Sequence, residues 1–176
     1  MRLTSLDRET MPAIAGVRVV RPENTLELYS IIRKELSSRG MDADLNFIDT
    51  SRVMSLQDCF WGSVDFRGDV SLWDVSKVFN FDSCFYKCKN FNCDISGWDV
   101  SRGETFRYMF YGCFSLEQDL SCWKIRNDKT PVLWSMFVNC PAVKPQAVID
   151  YETGEIMRAC EYAKSKINAK NANSGA

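Results

Sequence analysis

The sequence contains no histidine, and that absence closes off a large block of function. Ser-His-Asp and Cys-His catalytic schemes and His-ligated metal sites are all excluded. No run of about 18 apolar residues occurs, so no segment has the length of a membrane-crossing helix. Neither charge is in excess: 22 Lys and Arg stand against 23 Asp and Glu, which offers no basic field to nucleic acid and no polyacidic tail. A Gly-rich phosphate loop, a zinc-protease motif and a nucleophile elbow are missing as well. The chain is therefore expected to be non-enzymatic, with no catalytic residues, no cofactor and no metal. The opening Met1-Arg2-Leu3-Thr4-Ser5-Leu6-Asp7-Arg8-Glu9 carries charges where a secretion signal has its apolar core. A cytoplasmic protein with reduced thiols is the expectation.

What is present in quantity is aromatic residues, eleven Phe, five Trp and six Tyr, together with eight Cys. They recur in order. Asp69-Val70-Ser71-Leu72-Trp73-Asp74-Val75-Ser76 returns 25 residues later as Asp94-Ile95-Ser96-Gly97-Trp98-Asp99-Val100-Ser101. An earlier copy begins at Asp44 and a worn one at Asp119. Self-similarity at a fixed period of this size marks a repeat architecture.

Within each unit the apolar period changes. Val70, Leu72 and Val75, around Trp73, give a short β-like alternation. Leu56/Cys59/Phe60, Phe81/Cys84/Phe85, Phe106/Met109/Phe110 and Leu133/Met136/Phe137 then fall at i, i+3, i+4, one face of a helix. These patterns predict an α/β repeat solenoid of about four strand-helix units with a parallel β ribbon, like strands lying about 4.8 Å apart. Residues 1–43 are an N-terminal arm and capping helix, 44–145 the repeats, and 146–176 a C-terminal capping helix and disordered tail. The first cap runs over about residues 25–39, with Asn24 and Glu27 at its start, Leu28, Ile31, Ile32 and Leu36 as its stripe and Gly40 as its stop. The second begins at Thr153-Gly154 and carries Ile156, Cys160, Ala163 and Ile167 on one face. The fourth unit is irregular, because the step from Phe110 to Phe137 is 27 residues.

Phe85-x-x-Cys88-x-x-Phe91, Phe110-x-x-Cys113-x-x-Leu116 and Phe137-x-x-Cys140-x-x-Val143 resemble the Phe-x-x-Cys-x-x-Leu core of the BspA-like leucine-rich-repeat family. The Asp-Ile-Ser-x-Trp-Asp-Val-Ser tract resembles the related bacterial surface-lipoprotein repeat, in which a Met-Phe pair comes next; Met109-Phe110 and Met136-Phe137 keep that pair. The resemblance covers about residues 24–145 and implies a leucine-rich-repeat-like fold and a protein-binding role.

Three columns invite a chemical reading, and each has a plainer one. Cys88, Cys113 and Cys140 occupy equivalent positions and could form a thiolate cluster or redox pair. They lack the close Cys-x-x-Cys spacing of a zinc site, and small buried residues beside turn backbone would serve as well. Asp69, Asp94 and Asp119, with Asp49, Asp74 and Asp99, could pass for paired catalytic carboxylates or a calcium stair. A side chain that recurs in every unit more simply satisfies turn amides. Trp73, Trp98 and Trp123 are expected in the core.

A fourth column, Trp61, Tyr86 and Tyr111, comes directly after the core Phe of each unit and should point outward, the kind of surface that anchors partners; its plainer reading is that the rings cover the convex edge or pack between coils. The functional expectation is a protein-protein interaction module, a stand-alone adaptor or inhibitor such as one encoded by a virus or mobile element. Its partner would be another protein, with self-association open and neither nucleic acid nor membrane involved. The alternatives are a structural subunit of a larger assembly, such as a virion or surface component, and a thiol-metal protein.

Overall fold

A computed structural model describes residues 19–120, 122–125 and 132–140, together with the backbone of 147–149 and 156–158. Helix α1 spans Thr25–Arg39. The Asn24 side chain accepts from the Glu27 amide at 3.0 Å. The Glu27 carboxylate reaches back to the Glu23 amide at 2.7 Å, one residue earlier than a capping box would place it. At the other end Gly40, at φ 93°, donates its N–H to the Leu36 carbonyl at 3.1 Å. Leu28, Ile32 and Leu36 are buried and belong to the same core as the coils after the helix, so α1 packs its apolar stripe onto that core. Val20 bridges Ile48 in parallel.

The repeats do not form the expected α/β solenoid. Among the described residues from 44 to 140 there is neither an α-helix nor a β-strand, so the strand-helix units and the parallel β ribbon are both corrected. The helix fails for a backbone reason. Asp58, Ser83, Tyr108 and Ser135 have φ between 53° and 56°. Gly62, Lys87, Gly112 and Asn139 lie between 58° and 83°. Each coil thus carries two left-handed residues, one before and one after its core Phe, and a right-handed helix cannot run through them.

The i, i+3, i+4 pattern has a different origin. Along residues 81–88 the amides alternate in destination. Cys84, Tyr86 and Cys88 donate three residues back, to Phe81, Ser83 and Phe85. Phe81, Ser83, Phe85 and Lys87 donate to Thr105, Arg107, Met109 and Tyr111 of the next coil. A chain that turns inward and outward in this way buries the same positions as a helix would.

The expected strands fail because Asp and Ser compete for their amides. Asp69 Oδ1 accepts from the Ser71 amide and Asp74 Oδ1 from the Ser76 amide, and the same turn forms at Asp94 and Asp99. Each such turn interrupts the extended backbone that a ladder needs. What remains are single-residue parallel bridges, such as Asp44 with Asp69 and Asn80 with both Ser55 and Thr105.

Successive coils nevertheless lie in register, and aromatic columns fill the space between them. Phe60, Phe85, Phe110 and Phe137 stack at 5.1, 5.7 and 5.5 Å. Trp73, Trp98 and Trp123 stack at 6.4 Å per step, nearly parallel. Each indole N–H also donates to a carbonyl 28 residues earlier: Leu45, Val70 and Ile95 respectively. Burying a side chain of this size stabilises by about 1.5–3 kcal/mol, and no coil could do so without its neighbours.

The C-terminal helical cap is also corrected. Ala147–Ile149 (β1) and Ile156–Arg158 (β2) form an antiparallel pair. Val148, Ile149 and Ile156 are β-branched, which favours pairing over helix here, and Thr153-Gly154 falls between the strands. Cys160, Ala163, Ile167 and the tail lie outside the described residues.

Candidate protein-binding surface

Because the core Phe of every coil points inward, the residue directly after it is carried to the outer face, while the residue before it (Cys59, Cys84, Met109 or Met136) stays in the core. Trp61 is 60% exposed. Tyr86 and Tyr111 are half-buried and stack on each other at 5.2 Å. Val138 occupies the fourth place and is exposed. The structure therefore brings Tyr86 and Tyr111 into contact and sets Trp61 on the preceding coil, in the same column.

Two further rings complete the surface, and neither belongs to the recurring column that marks it in the sequence. Tyr108 meets Tyr86 and Tyr111 edge-on at 6.3 and 6.0 Å. Trp134, 66% exposed, lies 5.4 Å from Tyr108. The available signal is a break within a column. Tyr108 stands where the other coils have Asp58, Ser83 and Ser135, and Trp134 where they have Gln57, Asp82 and Arg107. A large aromatic in an otherwise polar column cannot be core.

Tyr108 is also conformationally costly. A left-handed backbone suits Gly, Asn or Asp, and a bulky residue there is an outlier that gives up about 1–2 kcal/mol. Lys87 has a φ of 58° and holds its ammonium 5.1 Å from the centre of the Tyr86 ring. Nearby, the buried Asp82 carboxylate accepts from the Arg107 amide at 2.8 Å and from its guanidinium at 2.7 and 2.9 Å. Thr105 donates its hydroxyl to the same carboxylate. Asp82 in turn raises the Arg107 pKa, chiefly through that hydrogen bond.

The cysteine and aspartate columns have structural occupations. Cys88, Cys113 and Cys140 donate their thiols to the carbonyls of Phe60, Phe85 and Phe110 in the preceding coil, at 3.5, 3.1 and 2.6 Å. Burial pushes the Cys88 thiol up to about 12 and those of Cys59 and Cys84 well above their ordinary value, so they stay protonated and poorly nucleophilic. Among the described residues every cysteine is a free thiol, and no group of three or more Cys, Asp or Glu is placed to hold a metal. Burial pushes the Asp69 carboxyl up, but hydrogen bonds from the Ser71 amide and hydroxyl outweigh it and the pKa is lowered. Among the described residues no helix is long and apolar enough to cross a membrane.

Compared with known proteins, the chain matches the family described as "Mycoplasma protein of unknown function, DUF285" over residues 31–159. No curated protein matches it, and no solved structure does.

Proposed function

Since the match spans most of its 176 residues, the chain belongs to that DUF285 family, and from this starting point we propose that it is a non-enzymatic protein-binding module. The observation that carries the proposal is the contact cluster of Tyr86, Tyr108, Tyr111 and Trp134 on the outer face, with exposed Trp61 in the same column one coil earlier. Rings of this kind give large contact area at little cost in side-chain entropy, and they dominate the energetics of protein interfaces. The core does not require them: the inward columns are already filled by Phe, Trp and Cys. Kinship with BspA-like repeats belongs to the same reading and is supported by the equivalent seats of Cys88, Cys113 and Cys140. An intracellular setting belongs to it too, supported by thiols that the stack uses in reduced form. A role as adaptor or inhibitor rests on the same surface.

The test compares affinity purification of wild type with Trp61→Ala/Tyr86→Ala/Tyr111→Ala, both scored by quantitative mass spectrometry from the native host. A partner held by wild type and lost by the triple variant, at unchanged thermal stability, supports the proposal. Retention of every partner sinks it. Light scattering on the purified chain separates a monomeric adaptor from a self-assembling subunit.

A further inference from the structure

The left-handed positions that flank the core Phe are a record of which surface residues are held against the preference of the backbone. Six of the eight carry residues suited to them or small enough to comply: Asp58, Ser83 and Ser135 before the Phe, Gly62, Gly112 and Asn139 after it. The two exceptions are Lys87 and Tyr108, on adjacent coils, and both lie in the aromatic surface. Neither is repaid by the core, since Lys87 is exposed and Tyr108 packs against other surface rings. Residues kept where the backbone disfavours them point to function.

Lys87 is also held in place. Its stem lies against Gly112, where a Cβ would come within 3.4 Å of Lys87 Cγ, and its head sits over Tyr86. It makes no ion pair among the described residues. The buried acid of the same surface is committed elsewhere, Asp82 to Arg107 and Thr105, and the Asp58 carboxylate accepts from the Gln57 side chain. The surface therefore offers half-buried tyrosine rings, with Trp134 exposed at their edge, beside one oriented cation that has no counter-ion among the described residues.

Resting on the protein-binding reading above, we propose that the partner presents a peptide segment in which a carboxylate neighbours an aromatic or aliphatic side chain. The carboxylate sits on Lys87 and the apolar group on the rings of Tyr86, Tyr108 and Tyr111. A charge-assisted contact at the edge of a dry aromatic patch fixes orientation, while the rings supply contact area.

The test selects a display library of random linear peptides on the full chain, then measures the recovered peptides by calorimetry at low and high salt. The same measurements are made on Lys87→Asn, which keeps a residue tolerant of the left-handed backbone, and on the Trp61/Tyr86/Tyr111 alanine variant. The expected result is enrichment of Asp or Glu within a residue or two of an apolar residue. Lys87→Asn should weaken those peptides about three- to tenfold and flatten their salt dependence, and the aromatic variant should lose them. Peptides without acidic preference that still need the rings would overturn the carboxylate and leave the binding surface standing. Recovery of no peptides, or of peptides indifferent to the rings, would overturn both.

Discussion

Three glycines of the stack share one residue type and should respond in three different ways to alanine. A Cβ on Gly68 would clash with the Ala43 carbonyl oxygen and lie 2.6 Å from the Phe66 ring. Neither neighbour can give way cheaply. The Ala43 carbonyl accepts the Asp69 amide at 3.2 Å, and Phe66 is wedged between Phe60 at 4.2 Å and Phe91 at 6.0 Å. Gly68→Ala is therefore overpacking against backbone and should cost about 2–3 kcal/mol. Gly62 has open space around it but a φ of 83°, so Gly62→Ala meets only the backbone penalty, about 1 kcal/mol. Gly97 has nothing within 4 Å and no positive φ. Gly97→Ala should stabilise by about 0.4–1 kcal/mol through the unfolded chain. Urea titration monitored by fluorescence of the buried Trp73, Trp98 and Trp123 reads the series, and each kcal/mol shifts the melting temperature by about 2–4 °C. The expected order is Gly97→Ala, wild type, Gly62→Ala, Gly68→Ala. If Gly68→Ala matches wild type within about 0.5 kcal/mol, the close stacking of the first two coils is wrong.

Other consequences can be checked with the same protein. Trp98→Phe keeps the ring column but deletes the 3.2 Å bond to the Val70 carbonyl, and denaturant titration should show a loss of about 1–2 kcal/mol. Brief alkylation of the native protein should label exposed Cys122 and spare Cys59, Cys84 and Cys88 until unfolding; labelling of Cys84 at the rate of Cys122 would refute its burial. Because the folded Cys88 thiol titrates near 12 against an ordinary 9.0, its contribution is complete below about pH 9. It is then lost up to pH 12, at about 1.4 kcal/mol per pH unit, and Cys88→Ser should blunt that alkaline decline. Asp69 has a lowered pKa, so its contribution is present above the ordinary value of 3.8 and disappears as pH falls through the folded value. Asp69→Asn keeps the turn acceptor and should be milder than Asp69→Ala, with a shallower acid limb in a pH-resolved melt.

The period, the entry helix and the core columns are legible in the sequence because each depends on spacing alone. Asn24, Gly40 and the stripe Leu28, Ile32 and Leu36 form α1 as local rules require. The interior of the unit is not legible, because i, i+3, i+4 burial has two solutions and only the backbone separates them. The clue lies in the residues beside the core Phe: Gly62, Gly112 and Asn139 are helix-breaking, yet Lys87 hides the same conformation behind a good helix former. The Asp-x-Ser turns are recognisable as amide-satisfying groups, but their power to break the β alternation shows only once every coil repeats them. In the candidate surface, recurrence draws attention to Trp61, Tyr86 and Tyr111, while Tyr108 and Trp134 are masked because they interrupt columns instead of continuing them.

The alternation of backbone amides between the coil's own turn and the next coil sets how such a chain can change in length. A cut of a few residues inside an alternating stretch such as 81–88 would offset the donors beyond it from their acceptors. Removal of one full period, from Asp69 to Cys93, would bring Asp94 to where Asp69 was and offer each orphaned carbonyl an equivalent N–H. Apart from the 27-residue step from Phe110 to Phe137, the molecule is thus marked like a ruler every 25 residues, and each step adds or removes one ring position along the outer face.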